Sequence, residues 1–370
     1  MKVLLAAGGT AGHVNPALAA AGEIKKLCPE AELLFVGTAD KIEARLAPQA
    51  GLEFRAIDVA GFQRRITPKN IVRNISAVGK LLRSRRQCKA ILDDFSPDVA
   101  VGFGGYVSGP IIRMAQQRGI PTAIHEQNAY PGVTNRTLAK RAGAVMLTDE
   151  RAAEHLDCAV PPVTVGLPVR SEIVTADREA ARRRLGVGDS KVVLSFGGSL
   201  GAKTINTVMT DVMERLKDEN LFFIHGYGKY GAFVPQELEK RGVLPVLSCR
   251  VTEYIDDMAD CLAASDVVVC RAGASTIGEL KAVGCCPILI PSPNVAENHQ
   301  FKNAESLAEN DAGYVIEEKD LTADSLAQLI EKLAADDGLR QSVGANIKSM
   351  FRPDSARVIA ETVLSLGGKS

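Results

Sequence analysis

The sequence predicts an α/β protein with two Rossmann-like domains that face each other across a cleft. The first observation is a duplication. Residues 2–12 resemble residues 191–201, with six of eleven aligned positions identical, and each segment is an apolar run that ends in glycines. The second is a series of short apolar runs without alternation, which suits parallel strands buried on both faces. The third is residues 160–168, where three prolines and a glycine predict an inter-domain linker.

The predicted elements follow one another in the same scheme in both halves. A helix over 16–27 has Asn15 as its expected N-cap and Pro16 at its first position. Another helix is predicted over 325–335. Besides the two duplicated openings, strands are predicted at 33–37, 99–103, 122–124, 144–147, 221–224, 266–270 and 287–290. These elements predict an N-terminal domain over 1–163, a C-terminal domain over 164–345, and a helical tail over 346–370 that packs back on the N-terminal domain.

Composition disfavours several classes of protein. Lysine plus arginine equals aspartate plus glutamate, 44 against 44, which argues against a general nucleic-acid binder. No apolar run reaches the ~18–20 residues that span a bilayer. The first apolar stretch is short and runs into a glycine turn, unlike a signal peptide. The eight cysteines form no C-x-x-C pair, which predicts a reduced, cytoplasmic compartment without a zinc site or disulfides.

Two glycine turns, at 8–12 and 197–201, are the first candidate ligand-binding segments. Both read G-G-[T/S]-x-G, so neither carries the dinucleotide fingerprint or the P-loop pattern, which disfavours NAD and a P-loop ATPase. A glycine turn before a helix still allows backbone N–H groups to approach an anion, with help from the helix dipole. The alternative is that the glycines only make tight turns. Their occurrence at matched positions favours a ligand site.

Polar side chains follow other predicted strands, where open α/β sheets place their ligands. His13 follows the first glycine turn and could act as a general base near neutral pH, or could simply bond to the turn backbone. Residues 125–128 and 294–300 carry groups that suit sugar hydroxyls and amides. Glu279, early in the helix after the 266–270 strand, could bind a ribose diol. Its alternative role is a favourable interaction with the helix dipole.

The segment 64–89 has a different character. It holds nine lysines and arginines and no acidic residue, with apolar residues at roughly helical spacing. A basic amphipathic helix is typical of a surface that binds anionic lipid. The alternative is a helix that packs its apolar stripe into its own domain and leaves a solvated basic face. RNA binding is less favoured because aromatic residues are missing. The candidate membrane contacts are Arg73, Ile75, Lys80, Leu82, Arg83, Arg85 and Arg86.

These motifs, taken in order, carry a resemblance over most of the chain. The sequence resembles the UDP-N-acetylglucosamine–lipid I N-acetylglucosaminyltransferases of peptidoglycan synthesis, an inverting family with the GT-B fold. Two positions depart from the usual pattern: Ala11 stands where glycine is common, and Leu200 where glutamine is common. The segments that carry the resemblance are 8–13, 104–110, 125–128, 197–199, 254–258, 271–279 and 297–300.

The resemblance implies how substrates are bound. Ile255 would meet the uracil through its backbone, Glu279 would bind the ribose, and Ser199 with the N–H groups around Ala274, Ser275 and Thr276 would bind the diphosphate. Gln300 and Asn128 would touch the N-acetylglucosamine. The full set of implied substrate contacts is Thr10, Ala11, Gly12, Asn128, Arg170, Ser199, Ile255, Ala274, Ser275, Thr276, Ile277, Gly278, Glu279 and Gln300.

The resemblance also implies the reaction. N-acetylglucosamine would pass from UDP-GlcNAc to the C4 hydroxyl of the muramoyl sugar of lipid I, giving lipid II, with His13 as the candidate base and Glu126 as its competitor. No cofactor and no metal are expected. The enzyme would be peripheral on the cytoplasmic face of the cell membrane, with an anionic membrane surface and cell-wall synthesis or division proteins as further partners, and no nucleic acid. Alternatives are a UDP-GlcNAc 2-epimerase of the same fold and a non-catalytic, membrane-docked nucleotide-sugar binder.

Overall fold

A computed structural model describes residues 1–59, 83–244 and 248–368. The chain divides into two compact units. Unit 1 comprises Met1–Pro168 together with Asp354–Ser370, and unit 2 comprises Val169–Pro353. The membrane predictions for Arg73, Ile75, Lys80 and Leu82 lie outside the described residues.

The strands form one parallel sheet in each unit. The seven-stranded sheet of unit 1 has the order β3-β2-β1-β4-β5-β6-β7, and the six-stranded sheet of unit 2 has the order β10-β9-β8-β11-β12-β13. The bounds are β1 Lys2–Ala6, β2 Glu32–Gly37, β3 Glu53–Ala56, β4 Val99–Gly102, β5 Thr122–Glu126, β6 Ala144–Leu147, β7 Val163–Thr164, β8 Lys191–Phe196, β9 Leu221–Gly226, β10 Cys249–Thr252, β11 Val267–Cys270, β12 Cys286–Leu289 and β13 Tyr314–Val315.

Helices cover the sheets. Their bounds are α1 Ala11–Leu27, α2 Glu43–Gln49, α3 with described residues 83–95, α4 Gly105–Gln117, α5 Val133–Ala139, α6 Ser171–Val174, α7 Arg178–Leu185, α8 Lys203–Arg215, α9 Val234–Lys240, α10 Met258–Ala264, α11 Ala274–Val283, α12 His299–Ala308, α13 Ala323–Ala335, α14 Asp337–Ser349 and α15 Ser355–Gly367. Short 3-10 helices lie at Glu150–His155 and Ala296–Asn298. None of the helices described is long and apolar enough to cross a membrane.

The predicted α/β class with two Rossmann-like domains is confirmed. In each unit the first six strands take the order 3-2-1-4-5-6 and every pairing is parallel. The duplicated segments form β1 and β8, which occupy equivalent places, and their glycine turns share a conformation. Gly9 has φ +91° and Gly198 has φ +90°, a left-handed region that glycine enters without steric cost.

The domain boundaries in the structure differ from those set on the sequence. Residues 163–164 form β7, which pairs with Met146 and Leu147, so the chain leaves unit 1 only after Pro168. The break placed at 345/346 falls inside α14, a continuous helix of unit 2. The chain returns to unit 1 at Asp354, and α15 packs along α1 and β4 through Ile359, Ala360 and Val363.

Two local expectations were wrong. α1 begins at Ala11 with Thr10 as N-cap, not at Pro16, because the amides of His13 and Val14 already bond to the Thr10 carbonyl. Pro16 therefore lies inside the helix. β5 continues through His125 and Glu126 because both pair with β6, so these two side chains are buried strand residues rather than loop residues.

Candidate functional site

At the carboxyl edge of the unit 1 sheet, the glycine turn at 8–12 meets a second pair of glycines at 104–105. Gly8 and Gly9 follow β1, while Gly104 is the N-cap of α4 and Gly105 is its first residue, with φ of +86° and +76°. A Cβ at Gly105 would overlap the carbonyl oxygen of Gly8, so only glycine allows this approach. Beside the contact lies a pocket of about 500 Å³. Its lining is Gly8, Gly9, Thr38, Ala39, Asp40, Lys41, Ile57, Asp58, Val59, Tyr106 and Val107.

Glu43 holds the first turn in place. Its carboxylate is fully buried and accepts hydrogen bonds from the amide of Gly9 at 3.2 Å and from the amide and hydroxyl of Thr38 at 3.1 and 2.7 Å. A Cβ at Gly8 would overlap the Glu43 Oε1 atom. Glu43 is not among the residues predicted from the sequence, because an acidic residue at the start of a short helix normally indicates only a helix-dipole partner.

His13 lies in the first turn of α1 and packs against Gly104. Its Nδ1 is 3.0 Å from the Thr10 hydroxyl. A Cβ at Gly104 would lie 2.9 Å from the His13 Cδ2 atom and 3.3 Å from Nε2. The ring is therefore oriented by Thr10 on one side, and its Cδ2–Nε2 edge faces Gly104.

Glu126, the competing candidate base, has a different environment. Its Oε1 accepts from the backbone amide and side-chain amide of Asn128 at 2.9 and 3.1 Å, and its Oε2 accepts from Gly132 N and Asn135 Nδ2 at 3.1 and 2.8 Å. Only 2% of the residue is exposed. Four donors on a buried carboxylate fit an anchor for the loop after β5, which presents Asn128.

In unit 2 the Glu279 and Arg170 side chains come together. Arg170 Nη2 donates to Glu279 Oε1 at 3.1 Å, while Arg170 Nη1 donates to the exposed Glu172 at 3.0 Å. Burial raises the pKa of Glu279, and the Arg170 charge opposes that effect. Glu279 lies on α11, which packs against α6, the helix that begins one residue after Arg170.

The first turn of α11 offers backbone donors close to Glu279 in sequence. The helix begins at Ala274, and no side chain caps it at Gly273. The amides of Ala274, Ser275 and Thr276 therefore precede the first intrahelical donor, the Ile277 amide, which bonds to Gly273 O at 2.9 Å. Ile277 and Gly278 are both buried in the helix and have no polar side-chain group, so they offer no side-chain hydrogen bond to a ligand.

The other predicted donor contacts lie at the same edge of the unit 2 sheet, after β8, β10 and β12. Ser199 and Leu200 are exposed on the second glycine turn, which is closed by a bond from Gly201 N to Gly198 O at 2.9 Å. Ile255 is 4% exposed and packs against Gly226 at the end of β9. Gln300 Oε1 accepts from Ser292 N at 2.8 Å, which leaves its Nε2 as a donor.

The basic surface of unit 1 can be described from residue 83 onward. α3 buries Ser84, Cys88 and Leu92 in the core and leaves Arg83, Arg85 and Arg86 exposed. A shallow groove of about 420 Å³ lies against it, lined by Arg85, Arg86, Lys89, Met114, Gln117 and Arg118. Within the described ranges, no three metal-ligating side chains of His, Cys, Asp or Glu come together.

Matches to known protein families identify the class of protein. The glycosyltransferase family 28 N-terminal domain matches residues 3–147, and the family 28 C-terminal domain matches residues 192–359. Together with two Rossmann-like sheets, these matches define a glycosyltransferase of the GT-B type.

Full-length relatives define the family more narrowly. A protein of Acetivibrio thermocellus, 40% identical over 98% of this chain and 97% of its own length, is named UDP-N-acetylglucosamine–N-acetylmuramyl-(pentapeptide) pyrophosphoryl-undecaprenol N-acetylglucosamine transferase. A Bacteroides thetaiotaomicron protein of the same name is 39% identical over 99% of this chain and 98% of its own length. The chain belongs to this transferase family.

Solved structures agree with that assignment. The crystal structure of Acinetobacter baumannii MurG is 27% identical, has a TM-score of 0.79, and is covered over 99% of its length by 98% of this chain. The UDP-GlcNAc 2-epimerase of Neisseria meningitidis, bound to UDP-GlcNAc, has a TM-score of 0.70 at 12% identity, covering 99% of this chain and all of that one. This second likeness shows the fold alone.

Proposed function

We propose that this chain transfers N-acetylglucosamine from UDP-GlcNAc to the C4 hydroxyl of the muramoyl sugar of lipid I, with inversion. The observation that carries the proposal is the full-length identity of about 40% to a transferase of that name. The side chains required are also present: a histidine beside the glycine turns of unit 1, and a carboxylate beside open helix amides in unit 2.

In this mechanism each group has one task. Glu279 accepts hydrogen bonds from the ribose hydroxyls, and the α11 amides with Ser199 stabilise the negative charge that develops on the UDP diphosphate. His13 Nε2 removes the proton of the acceptor hydroxyl as its oxygen attacks the anomeric carbon and the bond to UDP breaks. Asn128 and Gln300 bind the transferred sugar. The Thr10, Ala11 and Gly12 turn faces the acceptor, and no metal or cofactor takes part.

The choice of base is tested with two variants. His13→Ala is expected to lower kcat by about 10²–10⁴-fold, because it removes the proton acceptor. Glu126→Gln replaces one accepting oxygen of the anchor with an amide nitrogen, and it is expected to lower kcat far less because Glu126 does not take the proton. Steady-state kinetics with purified lipid I measure both. Near-normal turnover by His13→Ala would remove that residue from the role.

A UDP-release assay separates the transferase from the other two candidates. UDP should appear only when lipid I is present, since the bond to UDP breaks only upon attack by the acceptor hydroxyl. UDP release without lipid I, or donor binding with no release under any condition, would contradict transfer to this acceptor.

We further propose that the exposed cations of α3 bind an anionic membrane surface on the cytoplasmic side, where each would contribute about 1 kcal/mol. Reversal of charge at Arg83, Arg85 and Arg86 should abolish co-sedimentation with vesicles that contain anionic lipid. A matched control reverses three exposed cations of unit 2, Arg183, Lys240 and Lys319. Equal loss in both triple variants, or no loss in the first, would contradict membrane docking through α3.

A further inference from the structure

The 227–231 loop, which follows β9, packs against the second glycine turn. The amides of Lys229 and Tyr230 donate to the carbonyl oxygens of Ser199 at 3.2 Å and of Leu200 at 3.0 Å. Ser199 and Leu200 are exposed, so the loop supports the part of the turn that a ligand can reach. Because both bonds join backbone to backbone, they fix the position of the turn relative to the loop.

Glycines allow the loop and the turn to approach this closely. A Cβ at Gly201 would overlap the carbonyl oxygen of Tyr227, and a Cβ at Gly228 would overlap the amide nitrogen of Gly201. Gly201 and Gly228 have φ of +80° and +69°, a region that side chains disfavour. The Tyr227 carbonyl group is therefore the part of the loop that lies directly against the turn.

Asn206 on α8 holds this carbonyl group. Its Nδ2 donates to the Tyr227 oxygen at 2.8 Å, and only 1% of the residue is exposed. A Cβ at Gly231 would overlap both of these atoms, so the hydrogen bond requires a glycine at that position. Asn206 is too deeply buried to touch a ligand, but it is linked to the turn through the Tyr227 carbonyl group.

The other side of the loop is held without Asn206. The amides of Tyr227 and Gly228 donate to the carbonyl oxygens of residues 252 and 253 at 3.0 and 2.9 Å, which extends the parallel pairing of β9 with β10. These bonds lie just before Ile255, the residue expected to meet the uracil. Loss of the Asn206 hydrogen bond should therefore disturb the turn more than the segment that leads to Ile255.

We infer that Asn206 is a positioning residue for the diphosphate of the donor, acting through the Tyr227 carbonyl group on the turn that carries Ser199. This inference rests on the proposed function, since it requires Ser199 to bind the diphosphate of UDP-GlcNAc. The Asn206 hydrogen bond keeps the turn in one conformation before the donor binds. A preorganised turn binds the diphosphate more tightly, because less conformational entropy is lost on binding.

Asn206→Leu removes the contact and nearly keeps the shape of the side chain. Asn206 Oδ1 is buried and has no hydrogen-bond partner among the described residues, so the substitution removes one side-chain hydrogen bond, the one to Tyr227. Thr210→Val is the matched control. The buried Thr210 hydroxyl donates to Asn206 O at 2.9 Å, so this variant also loses one buried hydrogen bond of α8 but keeps the Tyr227 contact.

Binding of UDP and of uridine separates positioning from a general loss of stability. Asn206→Leu should weaken UDP binding about tenfold, the typical effect of one hydrogen bond. Uridine lacks the diphosphate, so its dissociation constant should be nearly unchanged. Thr210→Val should leave both dissociation constants nearly unchanged, and ligand-observed NMR with the full chain measures them. Equal weakening of UDP and uridine by Asn206→Leu, or no weakening of either, would overturn the inference.

Amide hydrogen exchange tests the contact itself without a ligand. The Lys229 and Tyr230 amides that donate to the turn should exchange faster in Asn206→Leu and at the wild-type rate in Thr210→Val. Mass spectrometry of the peptide that spans 227–231 measures this exchange, and equal rates in the two variants would also overturn the inference. Failure of the wild-type protein to bind UDP would instead contradict the proposed function, whatever the exchange rates are.

Discussion

The Glu279 carboxylate forms an ion pair with one arginine, Arg170. Arg170 bridges Glu279, which is largely buried, and Glu172, which is exposed. A ribose diol that binds to Glu279 would replace or reinforce the Arg170 contact. Burial raises the pKa of Glu279, so hydrogen-bond donors such as two hydroxyl groups would stabilise its charged form.

Glu279→Gln should therefore act mainly on donor binding. The substitution removes the charge that strengthens both ribose hydrogen bonds, so the KM for UDP-GlcNAc should rise about 10- to 100-fold. The KM for lipid I should stay within about twofold. Glu172→Gln removes the other partner of Arg170 and serves as the control, with donor KM nearly unchanged. A donor KM unaffected by Glu279→Gln would contradict the ribose contact.

The site in unit 1 depends on the backbone conformation of its glycines. Gly105 combines a φ of +76° with a backbone contact to Gly8, whereas Gly22 lies exposed in α1 with nothing within 4 Å of its Cβ position. Gly105→Ala should lower the free energy of unfolding by about 3 kcal/mol or more. Gly22→Ala should raise it by about 0.5–1 kcal/mol through helix propensity. Denaturant titration measures both, and equal effects would contradict the turn contact.

Buried histidines on β5 and β9 make stability depend on pH. Burial lowers the pKa of His125 and of His225 to about 4. The unfolded chain binds these protons at about pH 6.5. The free energy of unfolding is therefore highest above that pH, and it decreases as the pH falls toward 4. Each histidine contributes a slope of up to about 1.4 kcal/mol per pH unit. His225→Gln should reduce the average slope between pH 7 and 5 by about 1 kcal/mol per pH unit. An unchanged slope would contradict the burial effect.

Individual strands and helices show which structural features can be predicted from the sequence and which cannot. Periodicity predicts the buried parallel strands because a run of apolar residues is a local signal. The start of α1 was misplaced because Asn15–Pro16 is a strong local start signal, whereas the Thr10 carbonyl is the acceptor actually used. Glu43 gave no signal at all, since its burial depends on Gly9, which lies 34 residues away.

The two units have the same strand order, but they carry different polar groups at the carboxyl edges of their sheets. Unit 1 has His13 between the glycine turn at 8–12 and Gly104 at the start of α4, and unit 2 has Glu279 on α11, whose first-turn amides have no side-chain cap. The duplication predicted one glycine turn in each half. The assignment of Glu279 to the donor and of His13 to the reaction came from the resemblance to the transferase family, and it stays a prediction. Which of these side chains are anchors and which are available to substrates depends on three-dimensional contacts.

Labelled-sugar transfer is the most direct test that the molecule is an inverting transferase acting on lipid I. The full-length protein is incubated with UDP-[¹⁴C]GlcNAc and lipid I, with and without EDTA, and the lipid-linked product is isolated. We expect one GlcNAc per muramoyl sugar, joined with inverted anomeric configuration, and an equal rate with chelator. Label that remains on nucleotide sugar, or appears as the 2-epimer without lipid I, would contradict this function.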